Sequence, residues 1–489
     1  MFNFGSFDIK SIFAIAGLIL VAMGILSMFF KPVRQKCLGL LRTLYGDFSR
    51  AELIKFILLG IIFSFVIGVY WTMRPLKDSV FMSMVGAQYI AFAKILSLTL
   101  LFPLVVLYSK MVDRFPRQKM FYALTSFYIV ATALFGLLLM HPTLGLANTT
   151  VSTTRWVGWI WYVFVESYGS LLVALFWAFA ADITTPDSAK RGFYLVTMVG
   201  QLGSFTFPYF FAPLATRIGS APIVLVSAGL MIFIILLVYI FMRVTPKSEL
   251  RGYKGKNEEK IEKEEKIDEP GFLDGLRLLL THKYLLGIFG IVFFYEIIVT
   301  IIDYHFKNLV ALTQAGVDAR TLYLGQYAVY VNLVAFFCLL FGISNIQRRL
   351  GLRFSLAMMP FIVGAAVLVF RFNPVVSVLF WIMVGAKAVN YALNGPSVKQ
   401  LYVPTTNAVK YKSQAWIDTF GSRSSKGLGS GFNALKPWMT SWWGESAGML
   451  FHIALSTYLS VGLLAGWLIA ALYLGKTYQQ AVDRDEVVC

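Results

Sequence analysis

A helix that crosses a bilayer needs about 20 consecutive, mostly apolar residues, because its backbone groups must be satisfied where there is no water. Thirteen stretches of the chain qualify: 11–30, 53–73, 86–109, 120–140, 157–181, 192–215, 221–242, 284–306, 322–343, 354–370, 374–395, 415–437 and 449–475. So many long apolar runs predict an all-α polytopic membrane protein. Composition agrees, since 58% of the 489 residues are hydrophobic and only 14% charged, against about 25% charged in soluble domains. The weakest span is 415–437, which GSRSSKGLGSG interrupts. Such a segment is reasonable only where it lines a watery cavity. The stretch 11–30 lacks a basic leader and a small-residue cleavage site, so it reads as an extra anchor rather than a secretory signal.

Lys and Arg placement sets an expected orientation. The links at 31–55, 110–119, 190–191, 243–283 and 348–353 are basic, and they alternate with links nearly free of positive charge, such as 141–155. Basic links face the cytoplasm, which puts the N-terminus outside and the C-terminus inside, and the formal charge of +18 is this topological bias. No nucleic-acid partner is implied. The charged run KSELRGYKGKNEEKIEKEEKIDEP separates six spans from six, and it reads as a solvated tether with some helix. The expected divisions are an N-terminal span and basic link (1–52), a six-helix half (53–243), the linker (244–283), a second six-helix half (284–475) and a tail (476–489).

The two halves resemble each other. SKMVDRFPRQKM follows the second span of one and NIQRRLGLRF the second span of the other; WTMRPLKDSV and IIDYHFKNLV close their respective first spans. Two six-helix halves with basic hinges form the major-facilitator pattern, whose substrate site lies near midplane between the halves.

Ionisable groups within spans cost from about 2.5 kcal/mol upward at a helix centre, so each asks for a reason. Glu166, Glu296, Asp303, Lys387, Arg423 and Lys426 fall inside predicted spans, while Arg74, Lys77 and Lys307 sit at span ends. Structural readings exist: Arg74 and Lys77 snorkelling at an interface, or Glu166 and Lys387 forming a buried pair. Arg423 and Lys426, three apart on one helix face, repel unless an anion lies between them. The set is cation-rich, and a positive central cavity suits a polyanion, with Arg forks matching phosphate oxygens and Lys supplying point charge. Trp71, Tyr168 and Tyr391 are candidates to stack a base. Cys37, Cys338 and Cys489 have no metal or disulfide spacing, and the four histidines make no zinc signature. No Gly-rich phosphate loop is present. Neither a metal nor a cofactor is expected.

Three segments resemble the ATP/ADP translocase (nucleotide transporter) family of intracellular bacteria and plastids: WTMRPLKDSV at 71–80, VESYGSLLVALFWAFAADITTPDSAKRGFYLVTMVGQLGS at 165–204, and KAVNYALNGPSVKQLYVPTTNAVKYKSQAWIDTFGSRSSKG at 387–427. The resemblance spans roughly residues 53–475. It places the family's functional charges on Lys77, Glu166, Asp303 and Lys426, with Asp303 standing where the family usually has Glu. It implies a monomeric antiporter in a bacterial inner membrane that takes up ATP for ADP, or a related nucleotide pair, by alternating access. Arg74, Lys77, Arg423, Lys426, Lys307 and Lys387 would then bind phosphates, and Glu166 and Asp303 would be their counter-charges. Lipids and nucleotides are the expected partners. Two alternatives remain: a proton-coupled nucleotide importer using Glu166 or Glu296, and, more remotely, a membrane-embedded enzyme acting on phosphorylated lipids. The sequence offers no nucleophile, base or metal pair for the latter.

Overall fold

The computed structural model describes residues 48–114, 117–184, 186–246, 249–250, 272–340, 343–373, 375–405, 413–484 and 486–488. The described residues form helices joined by turns and loops, with no strand among them. The expected span at 11–30, the basic hinges after the second span of each half and most of the charged linker lie outside the described residues or side chains. Of the linker, Phe272–Thr281 forms a short helix.

Among the described residues, six long helices precede the linker: α1 (Arg50–Met84), α2 (Ile90–Arg114), α3 (Arg117–Met140), α4 (Trp156–Asp182), α5 (Pro186–Phe211) and α6 (Ser220–Val244). After it come α7 (Lys283–Thr313), α8 (Gly316–Leu340) and α9 (Ile343–Phe372), the last interrupted at Gly351 with φ 81°. Then α10 (Val376–Val389) runs on through a π turn at Asn390–Asn394 into Gly395–Gln400. A second π turn, Ile417–Gly421, leads into α11 (Ser422–Asn433), and α12 (Glu445–Arg484) follows a short helix at Lys436–Trp443. Ten described helices are long and apolar enough to cross a membrane. The expected spans at 192–215 and 415–437 are largely helical but not among the ten. The second of them breaks between Asn433 and Lys436.

α1 is the organising helix. A capping box starts it, with the Ser49 hydroxyl accepting from the Glu52 N–H and the Glu52 carboxylate from the Ser49 N–H. It packs against α4, α5 and α6 of its own group and against α8 of the other. Small residues let α1 and α5 touch closely: a Cβ on Gly203 would lie 2.0 Å from the Ser64 carbonyl oxygen, and one on Gly200 2.2 Å from the Phe63 ring. The helix also runs past the predicted end of its span at residue 73, through Pro75 to Met84. Arg74, Lys77 and Asp78 are therefore inside a helix rather than at a water boundary. They stay there because each finds a partner within the protein.

α8 joins the two groups, contacting both α1 and α5. The Gln201 amide donates to Asn332 Oδ1 at 3.2 Å, and Phe205 meets Phe336 at 5.7 Å between ring centroids. α11 packs against α7 and α2, with Phe102 on Phe420 at 5.7 Å. The polar, glycine-rich sequence of α11 thus lies between two helices instead of facing lipid alone.

Candidate functional site

Charges from five helices converge where α1 and α7 face each other. The Lys307 ammonium is 2.8 Å from Asp78 of α1 and 3.0 Å from Asp303, one turn earlier on its own helix. Asp303 also receives Lys387 of α10 at 2.9 Å and Lys94 of α2 at 3.2 Å. Beside this centre, Lys77 forms an ion pair with Glu166 of α4, lies 3.7 Å from Asp78, and sits 4.3 Å above the Tyr162 ring. Arg74 lies over the Trp71 ring at 4.8 Å and makes no hydrogen bond or ion pair with the described residues. Formally, the five cations Arg74, Lys77, Lys94, Lys307 and Lys387 face three carboxylates, Asp78, Glu166 and Asp303. The cluster is left with surplus positive charge. Buried charges are tolerated only when paired, so the cluster holds α1, α2, α4, α7 and α10 in register.

The centre of this cluster borders a small cavity of about 20 Å³, room for about one water molecule. Arg74, Asp78, Asp303, Lys307 and Lys387 line one side, and aromatic and aliphatic side chains of α1, α7 and α8 line the rest. At one end the two groups of helices are stitched together. The Asp318 carboxylate accepts from both the N–H and the hydroxyl of Ser220 at 2.7 Å, capping α6 from across the interface. Arg320 donates to the Ser83 hydroxyl at 3.2 Å, and the Tyr304 hydroxyl to the Gln88 carbonyl at 3.0 Å. Ser83 follows Asp78 by five residues and Arg320 precedes Leu324 by four, so this layer lies roughly 6–8 Å along the helices from the cavity lining.

The residues singled out from sequence divide into groups. Arg74, Lys307, Lys387, Asp303 and Trp71 line the cavity, and Lys77 and Glu166 form its flank. Lys426 lies apart from Asp303 in its pairing: it meets Glu296 at 3.3 Å, and Glu296 also accepts from the Ser422 hydroxyl at 2.9 Å. That carboxylate relieves the like-charge conflict on α11, while Arg423 makes no ion pair among the described residues. Glu166 and Lys387, readable from sequence as a pair, each take a different partner. Tyr168 is fully buried, its hydroxyl donating to the Val66 carbonyl at 3.1 Å and its ring set edge-on to Tyr128. Tyr391 is exposed on the first π turn and is not among the cavity residues.

Three further residues take part. Asp78 lies within WTMRPLKDSV, next to Lys77. Lys94 is a lysine within a predicted span, which is itself a sequence-level signal. Tyr327, a cavity residue beneath the Lys387 ammonium at 5.2 Å, carried no signal that separates it from the other tyrosines.

The sequence and the fold both have known counterparts. A family model described as TLC ATP/ADP transporter matches residues 34–379. The chain is 25% identical to "ADP,ATP carrier protein 1" of Rickettsia prowazekii (strain Madrid E), over 92% of this chain and 99% of that one. It is 24% identical to "ADP,ATP carrier protein 4" of Rickettsia typhi (strain ATCC VR-144 / Wilmington), over 78% and 84%. Among solved structures, a bacterial homologue of the iron transporter ferroportin in an inward-facing state matches with a TM-score of 0.58 at 13% identity, covering 87% of this chain and 99% of that one. A point mutant of the peptide transporter POT matches with a TM-score of 0.57 at 11% identity, covering 86% and 95%. These likenesses show the fold, a major-facilitator-type bundle.

Proposed function

Because the chain belongs to the TLC ATP/ADP transporter family, we propose that it is a nucleotide carrier exchanging ATP for ADP, or a related triphosphate–diphosphate pair, across a bacterial inner membrane. The observation that carries this reading is the way Asp78 and Asp303 engage Lys307, Lys387 and Lys94 at the cavity wall. Two carboxylates offer the same lysines what a polyphosphate offers, so a nucleotide can exchange with them ion for ion.

Exchange follows from that competition. In the account proposed here, the helices before and after the linker act as two six-helix halves that rock about the cavity, and the carrier works as a monomer in lipid. A carrier whose lysines are held by its own carboxylates reorients slowly; one whose lysines are held by phosphate reorients fast. The Asp318–Ser220 and Arg320–Ser83 contacts belong to one gate, which opens when the halves tilt the other way. Lys/Arg placement supports an N-terminus outside and a C-terminus in the cytoplasm. Binding and release involve no covalent step.

The test is reconstitution in liposomes with labelled ATP outside. Uptake that requires internal ADP and persists with an uncoupler fits exchange. The Glu296–Lys426 pair favours a second reading, in which Glu296 gives up its lysine to take a proton; uptake driven by a proton gradient without internal nucleotide fits that instead.

A further inference from the structure

The short helix between α11 and α12, Lys436–Trp443, presents an aromatic face to its surroundings. It holds three of the chain's 11 tryptophans, and Trp438, Trp442 and Trp443 are 64%, 74% and 51% exposed. Eight residues rise only about 12 Å, too little to cross about 30 Å of hydrocarbon. Trp, an apolar ring with one N–H donor, concentrates where hydrocarbon meets headgroups rather than in water or deep in the bilayer.

The helix is firmly mounted. Gly444, with φ 81°, turns the chain sharply from it into α12. Gly448 then lets the two helices touch, since a Cβ there would lie 2.5 Å from the Met439 carbonyl oxygen. That contact occupies the Met439 side and leaves Trp438 and Trp442, i and i+4 on one face, uncovered. Trp443 closes on Phe451 of α12 with ring centroids 4.7 Å apart, and exposed Leu450, Phe451 and Tyr458 carry the apolar surface on along α12, one of the candidate membrane spans. At the start of the short helix, the Lys436 ammonium donates to Asn308 Oδ1 at 3.1 Å and lies 5.6 Å from the Tyr304 ring. The helix therefore sits at the level of the Tyr304–Gln88 contact, the stitched end of the bundle.

We propose that this helix is an interfacial anchor whose partner is the bilayer itself. Trp438, Trp442 and Trp443 seat in the glycerol and headgroup zone of the leaflet at the stitched end, their rings against the first acyl carbons and their N–H groups donating to ester carbonyl oxygens. A protein partner calls for a patch set apart from the lipid-facing surface, whereas this one runs into that of α12 without a break. The anchor makes no demand on the transported substrate and stands apart from the nucleotide reading.

The test places the full chain in phosphatidylcholine liposomes with bromine on the acyl chain near either the glycerol or the terminal methyl. Subtracting the emission of a Trp438→Phe, Trp442→Phe, Trp443→Phe variant from that of wild type isolates the three indoles. For side chains about 5–10 Å into the headgroup boundary, the shallow bromine is expected to quench them roughly two-fold more strongly than the deep one, with little quenching by aqueous iodide. Stronger quenching by the deep bromine makes the helix an ordinary hydrocarbon-facing segment and overturns the anchor. Quenching by iodide alone puts the face in water, and quenching by neither hands it to a second copy of the chain or another protein; both overturn it too. Should the triple variant fail to fold, a nitroxide coupled to Trp442→Cys, with Cys37, Cys338 and Cys489 replaced by Ser, reads the same depth from its relaxation by oxygen against a water-soluble nickel complex. Relaxation dominated by nickel overturns the anchor, and comparable relaxation by both supports it.

Discussion

Lys307 lies between two carboxylates from different groups of helices, 2.8 Å from Asp78 on α1 and 3.0 Å from Asp303 on α7. The segments that carry them, WTMRPLKDSV and IIDYHFKNLV, are the pair whose likeness marks the internal repeat. Their lysines and acids interlock across the interface, so a change at either residue reaches both groups at once.

Asp78→Asn leaves the buried Lys307 with one carboxylate fewer. Removing one partner of a buried pair typically costs about 3–5 kcal/mol, softened here by Asp303. We expect a lower unfolding temperature in detergent and a loss of exchange of at least ten-fold. Asp78→Asn combined with Lys307→Met should regain thermal stability without regaining transport. Equal stability in wild type and Asp78→Asn would contradict this account.

Asp303 contacts three ammonium groups, so Asp303→Asn leaves the largest uncompensated positive charge at the cavity wall. Phosphate then has no competitor for Lys387 and Lys94. Apparent affinity for ADP should rise several-fold while turnover falls, and Asp303→Glu should restore much of the turnover. Initial-rate kinetics over a range of ADP concentration separate the two parameters; a raised KM with unchanged turnover would count against the role given to Asp303.

How far the sequence reaches is visible at α1. Apolar run length picks out ten of the expected spans as helices long enough to cross a bilayer, which admits little else; 192–215 and 415–437 are not among the ten. Run length ends the first major span at residue 73, since Arg74, Lys77 and Asp78 look like a boundary with water. The helix continues because Glu166, Lys307 and the Trp71 ring lie within reach, and partners distant in sequence are invisible to a local pattern. The same limit explains the pairing of Lys426 with Glu296 and the absence of Tyr168 from the cavity. Lys94 is different: an intramembrane lysine is a sequence-level signal in its own right. Tyr327 is the opposite case, a tyrosine in an aromatic-rich chain that only the fold sets against a charged cavity.

Lys77→Ala and Lys387→Ala should each abolish uptake at normal membrane abundance, because one leaves Glu166 unpaired and the other takes an ammonium from Asp303. Lys426→Ala should impair exchange less than either, since Lys426 is half-exposed and paired with Glu296 rather than with Asp303. Uptake assays normalised to membrane abundance rank the three. A ranking with Lys426→Ala as the most severe would move the phosphate site toward α11.

The gate contacts give a mechanical test. In a background with Cys37, Cys338 and Cys489 replaced by Ser, Ser83→Cys and Arg320→Cys joined by a short thiol-cleavable cross-linker should arrest exchange, and dithiothreitol should restore it. Full activity in the cross-linked protein would mean that this end of the interface does not open.

The central claim is obligatory exchange at a site where phosphate displaces carboxylate, and counterflow tests it most directly. Proteoliposomes loaded with ADP should take up labelled ATP at least ten-fold faster than unloaded ones, with one ADP released per ATP entering and no effect of an uncoupler. Equal uptake by loaded and unloaded liposomes, or uptake that collapses with the proton gradient, would contradict it.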